Sequence, residues 1–373
     1  MTANDLPTPF YIVYEDRLRA NLATISDVSR RSGANIIMAF KANALWRTFD
    51  IIKEYCTNCT ASSVNELRLG RECLGGEIHS YSPAYTDTNI DEFIEGSTHI
   101  TFNSISQYQR YGQRAIKAGV SIGLRVNPKC SVIETDLYNP ALPGSRFGVN
   151  AEDLADGLPD GIEGLHFHAL CESTSYDLEK VIKAFEEKFG HLLASLKWVN
   201  MGGGHLMTRK GYNTDHLIKI LKDFRMRHPN LRVILEPGSA FTWQTGDLVS
   251  SVVDTVEDGG IPTAILDVSF ACHMPDTLEM PYLPEVAEAS DSGEVWRLGG
   301  NSCLSGDFKG DYHFSKAPQT GDRITLKDMN HYTTVKTTMF NGIPHPDIVL
   351  QHTDGQCEYL RRFDYEDYKN RMS

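Results

Sequence analysis

The chain has 373 residues, 41% of them hydrophobic and 23% charged, with a formal net charge of −13, which is globular composition with room for one large core and a second domain. The negative balance argues against nucleic acid or an anionic membrane as partner, and it suits a cationic small substrate. Met1-Thr2-Ala3-Asn4-Asp5 has neither a basic nor an apolar signal region, and no apolar run approaches a bilayer span, so a soluble cytoplasmic protein is expected.

From the N-terminus, short apolar runs alternate with amphipathic stretches. Strands are predicted at 34–40, 60–63, 78–82, 99–103, 120–127, 162–169, 197–201 and 232–236. Helices are predicted at 48–56, 64–74, 106–118, 178–196 and 215–228. Eight strands alternating with helices over about 250 residues fit a closed parallel (β/α)8 barrel. A doubly wound open sheet is the rival, but it gathers its chemistry at one switch point. Here polar residues follow at least four different strands, as they do around a barrel mouth.

Past Phe241 the texture changes to strands separated by Gly, Pro, Asp and Asn, at 248–257, 263–270, 294–298, 323–328, 347–352 and 357–363. This predicts a second, β-sandwich or barrel-like domain. The expected division is a barrel over 12–241 and a β-rich domain from 1–11 plus 242–373. Eight cysteines are too few for a disulfide scaffold, and Cys56-Thr57-Asn58-Cys59 lacks a second pair, so no metal site is expected.

Five features follow these strands and loops. Lys41 ends the strand Ile36-Ile37-Met38-Ala39-Phe40, where a dry barrel mouth is expected to favour a neutral amine able to form a Schiff base. His168 shares one strand face with His166 and is placed to stack on a ring. Gly202-Gly203-Gly204, in the seventh βα loop, offers backbone N–H groups to a phosphate. Glu236 ends the eighth strand, where a carboxylate keeps a pyridine nitrogen protonated. Cys303, in a Gly- and Ser-rich loop, is a candidate proton donor. An amine, a planar base, an anion cradle, a carboxylate and a thiol are the parts that hold and use pyridoxal phosphate. The residues alone do not separate decarboxylation from racemisation or transamination.

The order of these motifs resembles the fold-type III pyridoxal-phosphate decarboxylases, which include ornithine and diaminopimelate decarboxylases. The chain is most similar to the carboxynorspermidine/carboxyspermidine branch, through Phe40-Lys41-Ala42, His166-Phe167-His168-Ala169-Leu170-Cys171-Glu172, Cys272-His273-Met274-Pro275-Asp276, Leu278-Glu279-Met280-Pro281-Tyr282 and Cys303-Leu304-Ser305-Gly306-Asp307. The resemblance implies an alanine racemase/ornithine decarboxylase type of fold and decarboxylation of carboxynorspermidine or carboxyspermidine to norspermidine or spermidine. It makes Lys41 the Schiff-base lysine and His168 the stacking residue, and sets Glu236 on the pyridine nitrogen. The phosphate then falls on Gly203, Gly204 and the Tyr332 hydroxyl. A homodimer with shared active sites is implied, in which Cys303 and Asp307 serve the neighbouring subunit and Arg125 lies near that site.

Two departures stand out. Glu236-Pro237-Gly238 is followed by Ser239 where the family often has an arginine on the phosphate, so backbone, hydroxyls and His205 must carry more of that load. Leu304 stands where ornithine decarboxylase has an acid, which argues against ornithine and for a pocket with a longer apolar wall. A carboxylated triamine carries remote positive charge, and Asp276, Glu279 and Asp307 are the expected acids for it. The alternatives are a decarboxylase of diaminopimelate or arginine, and a non-catalytic carrier of pyridoxal phosphate.

Overall fold

The computed structural model describes residues 1–133, 135–280 and 282–373; Pro281, part of a motif quoted above, lies outside the described residues. The chain divides into two units, Asn21–Phe241 and Met1–Ala20 with Thr242–Ser373.

The Asn21–Phe241 unit is a (β/α)8 barrel. Its first strand is broken at Ile37 into Asn35–Ile36 and Met38–Ala39. The first half pairs with Arg232–Leu235 and the second with Cys59–Ala61, so the parallel sheet closes through this strand. Ile37 N–H bridges the seam by donating to Leu235 O at 2.9 Å. Between them run Ile78–Tyr81, His99–Phe102, Ser121–Arg125, Ile162–His166 and Trp198–Asn200 in sequence order. Ser63, Ser104, Thr174 and Asn213 cap the helices that follow four of the strands, each accepting from a backbone N–H in the first turn.

Strand alternation decides what reaches the mouth. Phe167 turns outward onto Phe185 of helix Ser175–Phe189, with ring centroids 4.7 Å apart, which leaves His166 and His168 on the other face. The barrel interior is unusually polar. His79 and His99 stack at 3.9 Å, and the edge of His99 meets Trp198. A side chain at Gly123 or Gly164 would collide with the Trp198 ring. Burial, opposed only in part by nearby acids, holds both histidines below the usual range, His99 at about 3, so this layer is neutral packing.

The other unit is a mixed sheet of eight strands: Phe10–Tyr14, Gly246–Val256, Thr263–Leu266, Glu294–Gly299, Phe308–Phe314, Arg323–Leu326, Asp347–Gln351 and Cys357–Arg361. The long strand Gly246–Val256 shifts register between Val252 and Asp254; its first half pairs with Phe10–Tyr14 and Arg323–Leu326, its second with Thr263–Leu266. That bend wraps the sheet around a core of Leu248, Leu266, Phe270, Trp296 and Leu326.

Several elements differ from expectation, helix Ile90–Gly96 among them. Helix Glu15–Ser32 was not foreseen, although Leu18, Leu22, Ile25 and Val28 recur at helical spacing and are buried. Helix 178–196 is instead α over Ser175–Phe189 and 3₁₀ over Gly190–Ser195, the change falling at a glycine with poor α propensity. The strand predicted to Phe270 stops at Leu266, because Ser269 caps a helical turn, Phe270–His273. Phe308–Phe314 was missed because Gly310 interrupts it.

Candidate active site

At the C-terminal ends of the barrel strands, Glu236 is the best-held group. Asn200 Nδ2 donates to Glu236 Oε2 at 3.0 Å, and His166 Nε2 lies 3.0 Å from Oε1. Asn200 Oδ1 accepts from Gly202 N–H at 2.9 Å, so the amide is oriented and its NH2 must face the acid. Burial alone would push the Glu236 carboxyl up; His166 and the Asn200 donor outweigh it and hold the group at about 2. Glu236 is therefore an oriented anion.

His168 is fixed the same way. Gly203 N–H donates to its Nδ1 at 3.1 Å, which makes Nδ1 the acceptor and places any ring proton on Nε2. Burial, then the positive charges of Lys41 and Arg125, hold His168 well below the usual histidine range. It presents a neutral, immobile ring. Arg125 is buried, donates to His168 O at 3.3 Å, and packs against the faces of Tyr81 and Phe147. It braces the loop that carries His168.

The glycine triplet has a tighter purpose than an open cradle. Gly202 and Gly204 have φ of 70° and 85°, and a Cβ at Gly202, Gly203 or Gly204 would sit 2.3–2.5 Å from the carbonyls of Phe167, Glu236 and Leu170. Gly202 N–H is spent on Asn200 and Gly203 N–H on His168. Gly204 N–H has no partner among the described residues. His205 is ruled out as an anion donor: its Nε2 faces Gly202 O at 3.0 Å, and burial holds its pKa at about 4, so buried Nδ1 offers a lone pair. Lys41 is exposed, so the dry environment expected of it is not what the chain supplies. The Cys56 thiol donates to the carbonyls of Ile36 and Asn58, and Cys59 is buried; both are structural.

In the other unit, Cys303 is exposed, and its N–H is held by Asn341 Oδ1 at 2.8 Å. Asn341, at φ 59°, is a partner of the Cys303 backbone that the sequence did not disclose. Half-buried Tyr332 also has a left-handed φ, 55°, a conformation that costs a non-glycine residue and concentrates at functional sites. Asp307 is only 3% exposed. Its carboxylate accepts from Ala271 N–H (2.9 Å), Ser302 N–H (3.1 Å) and Ser302 Oγ (2.6 Å). It shapes the Cys303 loop instead of presenting a free acid to an amine. Asp307→Ala is expected to leave two part-buried N–H groups without their acceptor and cost about 2 kcal/mol in urea unfolding; an unchanged midpoint would remove this role.

Asp276 and Glu279 clamp the ammonium of Lys336, with Asp276 Oδ1 at 2.7 Å and Glu279 Oε2 also in contact. Burial works against the charge, but the two acids raise Lys336 to about 12. The pair thus already holds one primary alkylammonium.

Comparison with known proteins agrees with this chemistry. A family model described as the pyridoxal-dependent decarboxylase, C-terminal sheet domain, matches residues 11–330. The chain belongs to the pyridoxal-dependent decarboxylases. The carboxyaminopropylagmatine decarboxylase of Synechocystis is 46% identical over 99% of this chain and 96% of that protein. The carboxynorspermidine/carboxyspermidine decarboxylase of Campylobacter jejuni is 42% identical over 98% of each. The crystal structure of Campylobacter jejuni carboxynorspermidine decarboxylase complexed with norspermidine covers 98% of this chain and all of its own, at 40% identity and a TM-score of 0.91. This decarboxylase uses pyridoxal phosphate, and the barrel mouth fits it: an oriented anion for a protonated pyridine nitrogen, a fixed neutral ring, and an uncommitted Gly204 N–H. Among its described residues, no helix is long and apolar enough to cross a membrane.

Proposed function

We propose that this enzyme decarboxylates carboxynorspermidine and carboxyspermidine to norspermidine and spermidine in the cytoplasm, with the barrel as its cofactor domain; its lower bound moves from the expected residue 12 to Asn21, because Phe10–Tyr14 pairs into the other sheet. The observation that carries this reading is the full-length similarity to the Campylobacter jejuni enzyme whose structure holds norspermidine. A second substrate, carboxyaminopropylagmatine, is favoured by the 46% identical Synechocystis relative. The candidates share an amino-acid end and a distal cation. They differ in whether that cation is an amine or a guanidinium.

Pyridoxal phosphate, when bound, supplies the electron sink that accepts the charge left by departing CO₂. Lys41 Nζ is the amine that would hold the cofactor's aldehyde end. Neutral His168 would lie against its ring, and Glu236 would meet its pyridine nitrogen as an anion. Gly203 orients His168, and Gly204 N–H and the Tyr332 hydroxyl would hold the phosphate. Cys303 Sγ delivers a proton to the α-carbon after CO₂ leaves. At the distal end Asp276 and Glu279 bind the substrate cation; the Lys336 ammonium they hold supports that match.

The working unit is a homodimer in which the exposed Cys303 loop serves the partner's barrel. Mixing inactive Lys41→Ala and Cys303→Ala chains is expected to restore part of the activity, because a mixed dimer holds one site with both groups. No restoration after verified subunit exchange would sink the shared-site reading. Substrate choice is tested by CO₂ release, with product mass, from carboxynorspermidine, carboxyspermidine, carboxyaminopropylagmatine, meso-diaminopimelate and arginine. Turnover confined to the last two would overturn the proposal, and preference for the agmatine derivative would select the second substrate.

A further inference from the structure

We infer that His166 is a positioning residue for the reaction: it orients Glu236 from inside the barrel and acts on the cofactor only through that carboxylate. The inference rests on the reading of Glu236 as the partner of the pyridine nitrogen.

Three observations point to His166. Its side chain is 2% exposed, and Nε2 lies 3.0 Å from Glu236 Oε1, the oxygen that Asn200 leaves free. Beside an acceptor-only carboxylate at this distance, the tautomer with the ring proton on Nε2 is the favourable one. Second, buried Nδ1 has no hydrogen-bond partner among the described residues, Nε2 meets Glu236 at ion-pair distance without hydrogen-bond geometry, and the ring otherwise meets Tyr81 edge to face at 5.3 Å. A histidine kept only for packing would leave a buried ring nitrogen unsatisfied for nothing, where an apolar ring would serve better.

Third, the two partners of Glu236 are tied to the rest of the mouth. Asn200 is locked by the Gly202 N–H, and His166 sits on the strand that delivers His168 two residues later. The strand therefore supplies one histidine to the ring's environment and one to the acid beneath it. Asn200 and His166 together leave Glu236 a single arrangement in which to meet a pyridinium N–H. Such supporting contacts are worth roughly ten- to hundredfold in analogous ligand sites.

The test compares His166→Phe, which keeps the ring volume, with His166→Gln, which keeps a donor, each alone and in a Glu236→Gln background. Readouts are the pyridoxal phosphate dissociation constant, the pH dependence of the bound cofactor's absorption band, and kcat against KM. His166→Phe is expected to weaken cofactor binding and lower kcat about tenfold or more, with a shifted absorption profile and little change in KM. His166→Gln should recover most of this, and His166→Phe should add almost nothing to Glu236→Gln. A wild-type spectrum and affinity in His166→Phe would overturn the inference, as would failure of the Gln variant to rescue or full additivity in the double variant. If His166→Phe does not fold, the Gln variant and its double decide alone. Cofactor affinity and spectrum need no substrate, so they stand apart from any error in substrate assignment; a Glu236→Gln protein that binds and absorbs like wild type would sink the Glu236 reading itself.

Discussion

Lys41→Ala is expected to lower decarboxylation by at least about a thousandfold while leaving the fold intact. Loss of a covalent catalytic group removes a whole step of the reaction, and single knockouts of such groups cost as much as removing their companions too. The stability side is equally specific. Lys41 is exposed at the end of the first barrel strand, and exposed substitutions away from packing features move stability by about 0.5 kcal/mol or less. CO₂ release and thermal unfolding measured on one preparation check both halves. Residual activity within tenfold of wild type would assign the Schiff-base role elsewhere.

Glu236→Ala is expected to damage both function and fold. Removing the acid leaves the Asn200 amide and His166 ring facing a void, and breaking such a buried pair costs about 3–5 kcal/mol. Losing one electrostatic partner of a reacting group costs about a hundred- to thousandfold in kcat. The same acid sets a pH dependence. Its folded pKa, about 2, lies below its ordinary value, so the stabilisation is complete above pH ~4.5 and is lost as pH falls toward 2. Its size is about 3 kcal/mol. Urea midpoints of the cofactor-free protein at pH 7 and pH 3 should therefore converge between wild type and Glu236→Gln. A constant gap would show that ionisation of Glu236 contributes nothing to stability.

The barrel was legible because parallel strands buried on both faces read as apolar runs, and their polar terminal residues mark the mouth. Helix Glu15–Ser32 was overlooked although its apolar spacing is regular, since charged and serine residues fill its other positions. Phe308–Phe314 alternates correctly through Phe308, Tyr312 and Phe314, but Gly310 between them interrupts the apolar pattern. At the site, residue type and strand position were readable and partnership was not. Nothing in the spacing of Asn200, Gly202 and Glu236 shows that one amide joins them across strands. Nor could the sequence separate Asp307, folded into its own loop, from Asp276 and Glu279, which hold an ammonium.

The three consecutive glycines have a consequence for anyone trying to diversify this enzyme. One methyl group at position 202, 203 or 204 would displace a carbonyl beside His168, Glu236 or Leu170, and so disturb the acid and the imidazole in one stroke. Libraries that randomise this stretch should return almost exclusively the parental codons. Evolvability resides instead in the segments around Asp276, Leu304 and Lys336, where exchanges need not shift the backbone that holds the chemistry.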